Sequence, residues 1–322
     1  MQTKETRIFD PAVGFGAIRN LAEVTDATVA LRNNQWWMCA AGQVIGSEQT
    51  HLLSASLPAG SPLRAEGWQL IAEPCDVTKV EILADNSGKR TWDGKGGRHC
   101  PSHVRGWDPN QEKWVERIYY AGAAEFLWGP YTIGYLEWDG RQWVDRPEPV
   151  FASTEDWEHG SVYEPNLIYA DGKWKMWYAS GSNQDDYIVQ GYAESLDGRT
   201  GWRARRQFAE DSLKVFDFSV ARAPDGYEAV YSRIWLKHTP PPPETGLWSC
   251  KASEIYPSLA QWSEPVQILN AEDKGWHTGP WKPSLQLDAT QPERRMVFFD
   301  GVYRTSDPGP FPFVFTQGCL EF

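Results

Sequence analysis

The stretch SVYEPNLIYADGKWKMWYASG, residues 161–181, decides the fold. It contains two apolar, aromatic-rich runs separated by Ala170-Asp171-Gly172-Lys173. Asp-Gly between such runs signals a tight hairpin, because the loop needs residues that accept positive φ. The first run opens with Glu164 and a proline. The same order of acid, small or polar residue, apolar residues, turn and aromatic strand recurs along the chain. DATVALRNNQWWMCAAG starts at Asp26, DFSVARAPDGYEAVYSR at Asp217 and KPSLQLDATQPERRMVFFDG at Lys282. CPSHVRGWDPNQEKWVERIYYAG, from Cys100, is a looser copy. From Asp26 to Trp36, Glu164 to Trp174 and Asp217 to Tyr227 the offset is ten residues each time.

Each hairpin is followed by a further strand pattern, HLLSAS, YTIGYLEW, YIVQGYAES or GLWSCKAS. A turn and a tryptophan then close the unit, at Trp68, Trp143, Trp202 and Trp262, and each tryptophan is expected to start a fourth strand. Five four-stranded antiparallel units describe an all-β five-bladed β-propeller around a central channel, with residues 1–322 as one domain. A β-sandwich would account for the strands but not for the recurring acid, turn and terminal tryptophan. TRIFDP near the N-terminus is expected to add a strand to the last unit, beside FPFVFTQGCLEF, and so close the ring.

The composition narrows the function. The net charge of −12, with a pI near 5.0, argues against nucleic-acid and anionic-membrane partners, which need clustered Lys and Arg. The five cysteines, Cys39, Cys75, Cys100, Cys250 and Cys319, are scattered and form no CxxC pair, so reduced thiols are expected rather than disulfides or a zinc site. The N-terminal MQTKETRIFD has no apolar leader and no 18-residue apolar run follows, so a cytoplasmic protein is expected. No cofactor and no metal are expected.

In a propeller the first strand of each unit lines the channel. The equivalent early positions carry Asp26, Cys100, Glu164, Asp217 and Lys282. Three carboxylates converging on one axis are not what packing alone would select. Lys282 and Arg105 either neutralise part of this cluster or bind an anionic substrate group. His103 has a place on the pocket rim or on the surface. Trp36 and Trp107 either pack between units or offer a stacking platform to a sugar.

The pattern resembles the five-bladed propeller glycoside hydrolases of the family 43, 62, 32 and 68 group. Those enzymes are similar in carrying an axial acid on blades one, three and four, and YEPNLIYADGKWKMWYASG resembles their acid-proline hairpins. The resemblance implies that Asp26 activates water or acts as nucleophile. It also implies that Glu164 tunes and orients, and that Asp217 donates the proton. Glycoside cleavage needs one protonated and one ionised carboxyl across the anomeric carbon. Glu164 and Asp217 invert the family's Asp on blade three and Glu on blade four, and Asp26 lacks the following proline. The alternative that Glu164 donates the proton therefore stays open. His277, ahead of the fifth unit, is similar to a family 43 histidine that helps hold a central water or metal; the alternative is a solvated loop residue. Three functions follow. The first is a glycosidase-like enzyme acting on a small saccharide or glycoside. The second is a propeller of this fold recruited for non-hydrolytic acid/base chemistry on a small metabolite. The third is a non-catalytic carbohydrate-binding module.

Overall fold

The computed structural model describes residues 3–9, 21–33, 35–44, 49–56, 79–86, 92–94, 96–124, 129–182, 187–235, 241–272, 279–287, 294–304 and 313–322. These form five four-stranded antiparallel sheets. Strand β1 (Lys4–Phe9) belongs to the last sheet. Sheet one is β2 (Leu21–Arg32), β3 (Gln35–Val44), β4 (Thr50–Ser56) and β5 (Lys79–Ile82). Sheet two is β6 (Gly97–Asp108), β7 (Lys113–Ala123), β8 (Tyr131–Trp138) and β9 (Trp143–Asp145). Sheet three is β10 (Val162–Ala170), β11 (Lys173–Ser182), β12 (Tyr187–Ser195) and β13 (Arg203–Ala209). Sheet four is β14 (Val215–Ala223), β15 (Gly226–Arg233), β16 (Gly246–Ala252) and β17 (Val266–Asn270). Sheet five runs β18 (Gly279–Leu287), β19 (Arg295–Arg304), β20 (Phe313–Glu321) and then β1. The first strand of each sheet packs beside the first strand of the next, and β18 returns to β2. The protein is a five-bladed β-propeller.

The opening hairpin folds as its turn chemistry requires. Ala170 pairs with Lys173, leaving Asp171 and Gly172 as a two-residue loop with φ of +54° and +73°. The corresponding loop of blade four differs. Ala223 pairs with Gly226, so the loop is Pro224-Asp225 and Gly226 already belongs to β15. Proline holds φ near −65°, so this loop cannot be the positive-φ turn that Asp171 and Gly172 make in blade three.

The core lies between adjacent blades. Trp37, Leu52, Ile118, Tyr120 and Trp143 fill the gap between blades one and two. Tyr119, Tyr135, Leu167, Trp174 and Met176 fill the next gap, and Trp177, Phe208, Phe218, Tyr231 and Trp262 the one after. Val230, Leu247, Leu285, Val297 and Phe299 join blades four and five. Each large side chain withdrawn from water here contributes on the order of 1.5–3 kcal/mol. The closing tryptophans are conserved in packing rather than in strand position. Trp143 opens β9, Trp202 stands one residue before β13, and Trp262 follows a single 3-10 turn (Leu259–Gln261) ahead of β17. Trp68 lies outside the described residues, as does Cys75. Cys39, Cys100, Cys250 and Cys319 are buried free thiols. Among the described residues no helix is long and apolar enough to cross a membrane.

Closure uses the strand read from TRIFDP. β1 pairs antiparallel with β20, from Lys4 opposite Glu321 to Phe9 opposite Gln317. Deleting residues 4–9 would leave the β20 edge unpaired and open to another chain. Size-exclusion chromatography of that deletion should show self-association, and its melting temperature should fall.

Candidate active site

At one point in each inner strand the ladder to its neighbour slips. The slips fall between Thr25 and Thr28, His99 and Ser102, Tyr163 and Asn166, Val215 and Phe218, and Trp281 and Ser284. The residues released from pairing include Asp26, Cys100, Glu164, Asp217 and Lys282, the five axial positions. Asp26, Cys100, Glu164 and Lys282 take left-handed φ of +58°, +55°, +51° and +42°. Such a conformation costs a non-glycine residue roughly 1–3 kcal/mol, and the surrounding ladders must offset it. Proline follows Cys100, Glu164 and Lys282. It has no N–H to pair, so the slip wastes no donor there.

The axial side chains are joined around the ring. The backbone N–H of Cys100 donates to Asp26 Oδ2 at 3.1 Å, and that of Lys282 donates to Asp217 Oδ2 at 2.9 Å. The Cys100 thiol donates to Glu164 Oε1 at 2.9 Å. Lys282 Nζ sits 2.8 Å from Glu164 Oε2. Ser232 Oγ donates to Asp217 Oδ2 at 2.9 Å. A second tier of contacts lies two residues further along three of the strands. Ser102, Ser219 and Ser284 accept the backbone N–H groups of Leu167, Leu285 and Val29 on the next blade, at 3.0, 3.0 and 3.2 Å. Asp26 and Asp217 are thus blade-to-blade fasteners as well as axial acids.

Burial and charge set the proton states. Asp26, Glu164 and Asp217 are only 8%, 7% and 2% exposed. Burial, with the Glu164 charge adding to it, pushes the Asp217 carboxyl well above the usual range. Burial opposes ionisation of Glu164 too, but the Lys282 ammonium and the Cys100 thiol outweigh it and hold Glu164 below its usual value. Asp26 is raised by burial and by Glu164, against the pull of Lys282 and His99. Lys282 keeps its proton: burial disfavours the charge, but Glu164 and Asp217 more than restore it. The cluster therefore pushes neighbouring carboxyls in opposite directions, Asp217 toward its protonated form and Glu164 toward its ionised form. Among the described residues no donor reaches the buried Asp217 Oδ1, which leaves that oxygen to carry the proton.

One ligand atom each from Asp26, Cys100 and Glu164 lies within 4.8 Å of the others. To take a metal ion the thiol would have to lose a proton that burial holds tightly. Lys282 would also have to yield its place on Glu164. The ammonium group already supplies the positive charge at this point.

The other residues singled out from the sequence lie elsewhere. The His103 ring packs between blades one and two, against Trp37 and Trp143, with Nε2 3.5 Å from Glu116 Oε2. Arg105 is exposed and lies over the Trp114 ring. Trp107 is 36% exposed, touches Trp114 edge-on, and its carbonyl accepts the Trp174 indole N–H. Trp36 is half-buried in β3 opposite Leu31, near the hairpin end of the strand. In a propeller that end is remote from the axial slip. His277 falls outside the described residues.

Two features of the site carried no repeat signal in the sequence. Asp300, on β19, accepts Thr25 Oγ–H and the Asp26 backbone N–H on Oδ2, both at 2.6 Å. It is a fourth carboxyl at the axis, set between the last blade and the first. The second feature is a run of rings beside the acids. His99, Tyr131, Tyr163, Phe216, Trp281 and Phe315 follow one another at centroid separations of 6.1, 5.7, 5.9, 5.5 and 5.9 Å. Four of them, His99, Tyr163, Phe216 and Trp281, occupy the position immediately before an axial residue.

The chain has the fold of five-bladed propeller glycoside hydrolases. The catalytic domain of a family 62 alpha-L-arabinofuranosidase from Coprinopsis cinerea matches with a TM-score of 0.62 at 13% identity, covering 98% of this chain and 97% of that one. An alpha-L-arabinofuranosidase from Podospora anserina, solved in complex with cellotriose, matches at 0.61 and 15% identity, covering 98% and 96%. A family 117 glycoside hydrolase from Zobellia galactanivorans matches at 0.61 and 12% identity, covering 99% and 90%. No protein-family model matches the sequence, and no curated protein matches it.

Proposed function

We propose that this protein is a glycosidase-like enzyme that acts on a small saccharide or glycoside at the propeller axis. The observation that carries the reading is the division of charge between neighbours: Lys282 holds Glu164 ionised while Asp217 is driven to keep its proton. In this reading Asp217 gives its proton to the glycosidic oxygen. Asp26 takes a proton from water, whose hydroxide forms the new bond to the anomeric carbon as the bond to the leaving alcohol breaks. Glu164 stays charged throughout and keeps Asp217 protonated in the resting enzyme. An Asp26 oxygen lies within 4.8 Å of a Glu164 oxygen, shorter than the roughly 6.5–9.5 Å of an inverting pair. A panel of aryl furanosides and pyranosides tests the proposal: release of the phenol by the wild type and its loss in Asp217→Asn are expected. No turnover across the panel would overturn it.

The ring run favours a second reading. Tyr163 and Phe216 are buried beside the acids, and Trp281 and Tyr131 flank them. An apolar surround of this kind suits acid/base chemistry other than hydrolysis on a hydrophobic metabolite. Quenching of tryptophan fluorescence by apolar ring compounds but not by free sugars would favour that reading, with Trp281→Phe weakening the response.

A further inference from the structure

Asp300 lies outside the three acids that the proposed glycosidase chemistry uses, yet it is in direct contact with one of them. It is 1% exposed and stands opposite Trp281 in the β18–β19 ladder, at the edge of the slip that frees Lys282. Its Oδ2 draws in two donors from blade one, Thr25 Oγ–H and Asp26 N–H, both at 2.6 Å. Its Oδ1 receives Gln317 Nε2 from β20 at 3.3 Å. Thr25 Oγ also stands 3.2 Å from Asp26 Oδ1, so a hydroxyl links the two carboxyls. The backbone of Asp26 is left-handed, and the short bond from its N–H to Asp300 fastens that conformation.

We propose that Asp300 is the positioning residue of Asp26: with Thr25 it fixes the Asp26 backbone and carboxyl, and it keeps Asp26 in the anionic form that a base requires. This rests on the reading of Asp26 as the base of a glycosidase-like site. Two buried carboxyls in contact do not both ionise, and one proton serves the pair. Burial and the Asp26 charge push the Asp300 carboxyl up, while the contact with Asp300 works to lower that of Asp26. Around Asp26 the other charged or titratable groups are Glu164 on β10, His99 and Cys100 on β6 and Lys282 on β18. Glu164 repels its charge, while His99 and Lys282 attract it. Asp300 differs from these groups in holding both the Asp26 backbone N–H and the Thr25 hydroxyl that reaches the Asp26 carboxyl.

The test is Asp300→Asn in the full chain, with Thr25→Val as a second variant that retains the Asp300 carboxyl. Carbon-13 NMR of aspartate-labelled, ligand-free protein reads the titration directly, with Asp26 assigned from Asp26→Asn. In Asp300→Asn the highest aspartate titration of the pair should vanish and Asp26 should titrate about one pH unit higher. Thr25→Val should shift Asp26 in the same direction by less. The acidic limb of kcat/KM on the best aryl glycoside should move with the Asp26 titration. A lower melting temperature with an unmoved Asp26 titration would assign Asp300 a structural role only and overturn the inference. Failure of Asp300→Asn to fold, together with a folded Thr25→Val in which Asp26 titrates as in wild type, would also overturn it. If the glycoside panel shows no turnover while the NMR shift is present, the glycosidase reading fails and the control of Asp26 by Asp300 stands.

Discussion

Lys282→Met should lower the unfolding free energy by about 3–5 kcal/mol at neutral pH, as expected when one partner of a buried ion pair is removed. Lys282 Nζ is 2.8 Å from Glu164, and both side chains are less than a tenth exposed. Without the ammonium group, Glu164 keeps the opposition of burial and loses its main source of compensation. The sign of the pH dependence should then change. In the wild type the folded-state value of Glu164 lies below its usual 4.5. Its contribution is therefore fully present above that value and is lost as pH falls through the lower one. In Lys282→Met the folded value rises, so the contribution is present at low pH and is lost as pH climbs. Urea denaturation at a series of pH values should show the gap between variant and wild type narrowing below about pH 4. Adding Glu164→Gln to Lys282→Met should restore most of the stability, because no charge is left unpaired. Equal losses in the single and double variants would show that the two side chains are not coupled.

Asp217→Asn should abolish turnover, with a loss of about 10²–10⁴-fold from the proton-donor role alone. The fold should tolerate it. An amide oxygen in place of Oδ2 still accepts the Lys282 N–H and the Ser232 hydroxyl. Asp217→Ala removes that acceptor and strands a buried N–H, so its melting temperature should fall well below that of Asp217→Asn. The comparison separates chemistry from fastening in one residue. The carboxyl is raised in the folded state, so its contribution to stability is present at acid pH and is lost as pH rises through the folded value. Asp217→Asn should lose that decline on the alkaline side. A steep alkaline fall that persists in the variant would assign it to another group.

The ring and its axial positions were legible because they repeat. One unit places an acid before a hairpin, and four further copies fix the strand order, the channel and the five residues facing it. Even the closing strand was readable, since Thr6–Phe9 continues a sheet that the C-terminal strands leave short. The swapped acids were legible as residues but not in their roles. Which of Glu164 and Asp217 keeps a proton depends on which one Lys282 touches, and that is a matter of ångströms between blades 118 residues apart in sequence. Asp300 escaped because it sits on a second strand, where no repeat points to the axis. The aromatic rings at the axis were hard to pick out for a physical reason. Tryptophan is recognisable in the sequence, but the rings beside the acids are mostly Tyr131, Tyr163, Phe216 and Phe315. Trp36 and Trp107 instead lie toward the hairpin ends of their blades, and His103 packs between two of them.

Sheet five draws one strand from residues 4–9 and three from residues 279–321, with all the other sheets lying between them in sequence. The order of synthesis follows from this. Blades one to four can pair their strands as they leave the ribosome, but Glu164 has no Lys282 ammonium beside it until that residue emerges. Asp26 has no Asp300 to cap its backbone N–H before blade five is made. The reactive arrangement of charges is therefore created in the same step that makes the ring a ring, and no partial product of translation carries it.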